Sequence, residues 1–359
     1  MKKIYTIAFL FLATIGFAQI PAGYYNTATG TGYTLKTQLY NKIHAHTALN
    51  YTPGLWNAYP FTDARPDGKV WDIYSNCNFT FGTGAGGNQD QGSGGTAECQ
   101  FYNREHTFPK SWFADGTPMY TDLFHVMPTD KKVNGLRGNL AYGVVGTATY
   151  TSSNGTKKGN CIAPNYPYNL EVFEPADEYK GDIARNYFYM ATCYQNVISG
   201  WQTNDADADT ALDGSSDKVF EQWYLDLMYS WHVADPVSAK EIARNNAVYN
   251  IQGNRNPFID HPEYVLAIWG PVLSTATFSN ALATVSVYPN PSSNRKINIE
   301  SDNALEEIQL ITINGQLMQQ IKNPVMENHT FTIENLPQGF YFLKLSADHQ
   351  SVTKKVIVN

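Results

Sequence analysis

With 359 residues, the chain has room for two or more domains, each with its own core. Its charged fraction is only 16% and its net charge is −7, which excludes a protein that coats nucleic acid through a uniformly basic surface. The four cysteines contain no Cys-x-x-Cys pair, which argues against a zinc ribbon, and nothing after the first residues is apolar for long enough to span a bilayer.

The chain opens with Lys2-Lys3, an apolar run from Ile4 to Phe17 and Ala18-Gln19, the pattern of a secretory signal peptide over residues 1–18. An exported protein favours disulfides. Cys77 with Cys99 is the preferred pair, closing the glycine-rich segment Gly82 to Gly95, and it leaves Cys161 with Cys193. Thr34 is placed to cap a helix with Leu35, Leu39 and Ile43 on one face; His44 and His46 near its end read as ordinary residues. Val70 to Tyr74 reads as a strand, and the glycine-rich segment as a loop without the Gly-Lys-Ser/Thr of a phosphate loop.

The densest chemistry lies between Tyr102 and Tyr142. Tyr102 to Thr107 reads as a strand ending on Glu105 and His106, and Tyr120 to Met127 as its hairpin partner, stopped by Pro128. Thr129 would cap a helix that buries Val133, Leu136 and Leu140 and carries Asn134 and Arg137 on an adjacent face. Gly135 and Gly138 inside that helix suggest close approach of another backbone. A histidine, a carboxylate, an amide oxygen and a guanidinium brought together suit phosphodiester hydrolysis. The histidine takes a proton from water near neutral pH, the oxygens hold a hard divalent cation, and the guanidinium grips phosphate. The balance of charge from Arg104 to Arg137 is slightly basic, although acidic residues outnumber basic ones between Gln19 and Gly270. A local basic cleft is what a turnover enzyme needs.

Further on, Tyr142 to Tyr150 reads as a strand before a polar turn. Asp182 begins a helix with Ile183, Tyr187, Ala191 and Tyr194 on one face, whose aromatics suit a core. Asn204 to Asp217 is an acidic loop lacking the glycine and glutamate of an EF-hand. Val219 to Trp231 reads as a helix, and Ser238 with Glu241 as the capping box of another that ends near Gln252. Gly253 to Asp260 is a helix-ending turn expected to pack on the hairpin. A boundary falls over residues 273–284, and from Val285 short alternating strands predict a small all-β sandwich.

The segments R-E-H-T-F-P (104–109), Asp122, Pro128 and V-N-G-L-R-G-N (133–139), with I-A-R-N-Y-F-Y-M (183–190) and residues 244–260, resemble the ββα-metal, or His-Me finger, nucleases of the bacterial endonuclease I family. The resemblance implies an α+β nuclease domain over residues 19–272. It implies a secreted, metal-dependent endonuclease acting on DNA and possibly RNA, with little sequence specificity. His106 is then the general base, and Glu105 and Asn134 hold Mg²⁺ or another divalent cation such as Mn²⁺ or Ca²⁺. Arg137 is the expected catalytic phosphate ligand, and Lys110, Arg104 and Arg255 the expected substrate-binding residues. Two positions depart from the family pattern: Phe124 and then His125 follow Asp122, and no arginine lies between Thr107 and Pro128. These departures define the alternative, a nuclease-like secreted binding protein without activity. Residues 285–359, through Y-P-N-P, I-N-G-Q, L-P-Q-G-F-Y and K-K-V-I-V, resemble the C-terminal sorting domain of type IX secretion, which implies export through that machinery; the lack of a long apolar stretch after the signal peptide leaves no integral membrane segment expected in the mature chain.

Overall fold

The computed structural model describes residues 20–273, 285–312, 317–347 and 350–359. The expected signal peptide, all but Leu273 of the expected linker and the I-N-G-Q turn lie outside them. The chain divides into two compact units, Met1–Leu273 and Ser274–Asn359. No helix among the described residues is long and apolar enough to cross a membrane.

The first unit is built around a small hairpin and a set of helices. Helix α1 (Gly32–Ile43) starts after Thr31 rather than at Thr34, and it buries Leu35, Leu39 and Ile43 as their spacing requires. Helix α2 (Gly54–Thr62) follows. Of the strand expected at 70–74 only Val70 bridges, to Ala64. The Asp72 carboxylate instead accepts the Tyr74 amide at 2.8 Å and the Ser75 hydroxyl, a local turn that competes with a ladder. The glycine-rich segment is irregular, and the Cys77–Cys99 disulfide closes it. The expected second disulfide is absent. Cys161 is half-buried, whereas Cys193 is fully buried with its thiol on the carbonyl of Ile43 at 3.6 Å.

Strand β1 (Tyr102–His106) pairs antiparallel with β2 (Val126–Asp130), from Tyr102 opposite Asp130 to His106 opposite Val126. Residues 119–121 form a helical turn, so the second strand starts later than expected and runs through Pro128. Each strand of a two-stranded ribbon keeps one unpaired edge, where a missing N–H costs no ladder bond. Helix α3 (Lys131–Arg137) is capped by Asp130, not Thr129: its carboxylate accepts the amides of Lys132 and Val133 at 2.7 and 3.0 Å. Gly138 ends it with φ +57°, and a Cβ on either Gly135 or Gly138 would meet open space, so no close backbone approach explains them. The buried residues of α3 are Val133 and Arg137; Leu136 is only partly buried, and Leu140 lies beyond the helix.

Strands β3 (Val145–Thr151), β4 (Lys157–Cys161) and β5 (Glu171–Glu174) form an antiparallel sheet. Helix α4 (Lys180–Cys193) is buried on every face, and its Y-F-Y-M aromatics belong to the core. The acidic stretch folds into the short helix α5 (Ala206–Ala211), capped by Asp205. Helix α6 (Gln222–Ala234) begins after Val219, which is buried with a left-handed φ of +73°. Helix α7 (Ala239–Gln252) has the expected capping box from Ser238 and Glu241 and ends on Gly253 at φ +84°. Two short helices, α8 (Pro257–Asp260) and α9 (Glu263–Trp269), complete the unit. Gln252 reaches back to the hairpin connection, accepting the Leu123 amide at 2.6 Å and donating to Asp122 at 3.0 Å.

The second unit has a three-stranded and a four-stranded antiparallel sheet around one core that includes Ile297, Ile299, Ile308, Leu310, Leu343, Leu345 and Val356. This is the expected all-β domain.

Candidate active site

Strand alternation divides β1 between two environments. Asn103 and Glu105 face α3. Asn134 Nδ2 donates to Asn103 Oδ1 at 2.8 Å and to the Arg104 carbonyl at 3.4 Å. One turn later Arg137 donates from Nη1 to Glu105 Oε1 at 2.9 Å and to the His106 carbonyl at 2.8 Å, and from Nη2 to the Thr107 carbonyl at 2.8 Å. The Tyr74 hydroxyl donates to the same Glu105 oxygen at 2.8 Å and is bonded to that of Tyr142, whose ring lies 4.8 Å from the guanidinium. Arg137 is 1% exposed and Glu105 2%. Arg137 is therefore not open to a substrate phosphate, contrary to the expectation from sequence. It clamps the end of β1 through one carboxylate and two carbonyls. Burial pushes the Glu105 carboxyl up to about 7, against the pull of Arg137.

Arg104 and His106 lie on the other face. His106 Nε2 is 3.1 Å from the carbonyl oxygen of Tyr120. A carbonyl can only accept, so Nε2 carries the ring proton and Nδ1 keeps the lone pair. The ring stacks on Tyr120 at 5.1 Å and lies near-parallel to Tyr51 at 6.2 Å. Burial, aided by the neighbouring His125, holds the imidazole well below its usual range, so it is neutral at pH 7. His125 donates from Nε2 to the Met119 carbonyl at 2.7 Å, and Phe124 is buried against Tyr189 at 4.6 Å. Phe124 thus fills the core.

The expected substrate residues separate. Arg255 is buried and bound to both oxygens of Asp260 at 2.6 and 2.7 Å, which closes it to a ligand. Lys110 is exposed and paired with Asp115 at 2.6 Å. Arg104 lies between the rings of Tyr51 and Trp56. Sequence reasoning missed Tyr120, Tyr51, Trp56 and Tyr74. No spacing signals them, since Tyr51 and Tyr74 come from segments far from the hairpin.

A divalent cation can be tested against these residues. Asn134 spends its NH₂ on Asn103 and Arg104, which fixes the amide and leaves Oδ1 out of those bonds; both bonds to Glu105 fall on Oε1. A carboxylate and an amide oxygen fit a hard cation that keeps several waters. A second grouping, His46, Asp122 and Cys193, has metal-like spacing. The Asp122 oxygens, however, already accept Phe124 N, Gln252 Nε2 and the hydroxyls of Tyr189 and Tyr194 at 2.6 to 3.0 Å. That carboxylate locks the hairpin connection to α4 and α7.

Residues 31–263 match the family model described as Endonuclease I, and residues 286–359 match the one described as Secretion system C-terminal sorting domain. An extracellular ribonuclease of Bacillus amyloliquefaciens is 35% identical over 252 residues, which are 68% of this chain and 78% of that protein. One of Bacillus subtilis is 35% identical over 254 residues, with the same coverage. Endonuclease-1 of Buchnera aphidicola (Acyrthosiphon pisum) is 26% identical over 139 residues, 39% of this chain and 44% of that one.

Proposed function

Because the chain belongs to the endonuclease I family of nucleic-acid hydrolases, and ends in a sorting domain that makes it a secreted or cell-surface protein, we propose that it cleaves phosphodiester bonds of RNA and DNA with little sequence preference, His106 being the general base. The reading is carried by one observation: a neutral imidazole whose Nε2–H is held by the Tyr120 carbonyl keeps Nδ1 unprotonated at pH 7. Nδ1 takes a proton from water as the water oxygen bonds to phosphorus, and the bond from phosphorus to the leaving ester oxygen breaks, that oxygen taking a proton from solvent. Tyr120 fixes the tautomer, and Arg137, bound to Glu105 and to the carbonyls of His106 and Thr107, holds the end of the strand. Glu105 and Asn134 would hold Mg²⁺, Mn²⁺ or Ca²⁺, which supplies charge stabilisation to the phosphate and the leaving oxygen. The ribonuclease names of the Bacillus relatives favour RNA as a substrate beside DNA, and the type IX machinery is the proposed export partner.

The test is incubation of the purified protein with plasmid DNA and with RNA, in Mg²⁺ and in EDTA, beside His106→Ala. Cutting that needs the metal and vanishes in the variant is expected. An active His106→Ala enzyme sinks the assignment.

A further inference from the structure

Arg65, Arg137, Arg185, Arg244 and Arg255 each form an ion pair with a carboxylate. Among the described residues of the nuclease unit, Arg104 is the arginine without one. Its guanidinium carbon lies 3.5 Å from the centroid of Tyr51 and 4.3 Å from that of Trp56, so the plane is sandwiched between two rings. Its bonds to protein run through Nη1, which donates to the Tyr51 carbonyl and to Thr52 Oγ1, both at 2.7 Å. The Nε–Nη2 edge takes no part in them. The charge is thus mounted rigidly and left uncompensated, on a half-buried side chain. An uncompensated, oriented fork is matched by an anion with two oxygens in one plane.

Arg104 shares its side of β1 with His106, two residues and about 7 Å along the strand, and Tyr51 lies against both. The offset of their backbone positions is of the order of one nucleotide. We propose that Arg104, mounted between Tyr51 and Trp56, binds the phosphate next to the scissile one, so that a polynucleotide, which carries that second phosphate, is preferred to a small phosphodiester. This rests on the nuclease reading above and adds a subsite to it.

The test compares a dinucleoside monophosphate, whose one diester is the scissile bond, with trinucleotides lengthened by one phosphate on either side. For the native protein, lengthening on one side is expected to raise kcat/KM by about tenfold, the size of one charge-assisted hydrogen bond. In Arg104→Ala that ratio should fall to about one. The slope of log KM against log salt should become shallower by about 0.7, as one phosphate contact is lost from a single strand. Arg104→Lys, which keeps the charge but cannot fill the ring sandwich, should keep the salt slope and lose part of the gain. An unchanged ratio in Arg104→Ala, including equal losses on both substrates, overturns the subsite. If the native protein cuts nothing, the nuclease reading has failed, and anisotropy of a labelled trinucleotide with the same variants still decides the subsite: unaltered affinity and salt slope in Arg104→Ala sink it.

Discussion

The two faces of β1 treat charge in opposite ways. Toward α3, Glu105 meets Arg137 at 2.9 Å, and both vanish from solvent behind Tyr74 and Tyr142. Toward Tyr51, Arg104 is stacked and oriented but given no carboxylate, and His106 is kept neutral. The difference separates two jobs that the sequence places on adjacent letters. Arg137, paired inside the protein, holds geometry, and its loss falls on the fold. Arg104, left without a carboxylate, keeps its charge free for an outside partner, and on the nuclease reading its loss falls on turnover.

The sharpest way to break this comparison is His106→Ala. Cleavage should fall by about 10²–10⁴-fold or more, while the thermal midpoint moves by no more than about 4 °C. A large loss of stability with activity retained in the folded fraction would place His106 on the structural side. Arg137→Met probes the opposite face. A buried partner left with an uncompensated carboxylate costs about 3–5 kcal/mol, or a midpoint drop of about 10 °C for a unit of this size. If calorimetry shows no drop and KM rises instead, Arg137 grips phosphate after all.

Which of these features was legible in the sequence follows from how local their causes are. Leu35, Leu39 and Ile43 announce α1 through spacing alone, and Ser238 with Glu241 announces α7, because a capping box is written within four residues. The hairpin and the helix that carry Glu105, His106 and Asn134 were legible from residue types and turn signals, but alternation along β1 sets His106 on the other face from Glu105. The inward turn of Arg137 was not, because its acceptors lie on another strand some thirty residues earlier. Thr129 looked like the cap, but Asp130 is one residue nearer the helix and also accepts the Cys99 amide, a contact set by the disulfide. Tyr51 and Trp56 stack on Arg104 from about fifty residues away, and no periodicity links them.

Asp72, which lies against the backbone of the α3 cap Asp130, tests that side through pH. Its carboxyl is buried without a basic partner among its hydrogen bonds, and desolvation pushes it up to about 7, eased by Ser75 and the Tyr74 amide. An acid whose folded value lies above its unfolded value of about 3.9 takes up a proton on folding. Its stabilising contribution is present below about pH 4 and is lost as pH rises to about 7. Asp72→Asn keeps an oxygen for the Tyr74 amide and removes the charge. It should flatten the denaturant stability curve between those limits by up to roughly 4 kcal/mol. A curve of unchanged slope would mean that the carboxyl ionises in the fold as it does in water.

The smallest expected effect concerns how α3 is held. The Cys77–Cys99 bond spans 22 residues and fixes Cys99, whose amide donates to Asp130 Oδ2 at 2.7 Å while the other carboxylate oxygen caps α3. Replacing both cysteines by serine should cost about 2–4 kcal/mol through the freed unfolded chain. That term acts on the whole unit and leaves the folded geometry alone. The Asp130 contact adds a local consequence. With Cys99 unfixed, Asp130 loses one donor, the cap loosens, and Asn134, one turn into α3, is held less firmly over Asn103. The doubly substituted protein, assayed well below its unfolding midpoint, should therefore need more Mg²⁺ for half-maximal cutting while its pH profile stays in place. A lower midpoint with an unchanged Mg²⁺ requirement would show that the disulfide serves the fold and that Asp130 holds α3 without it.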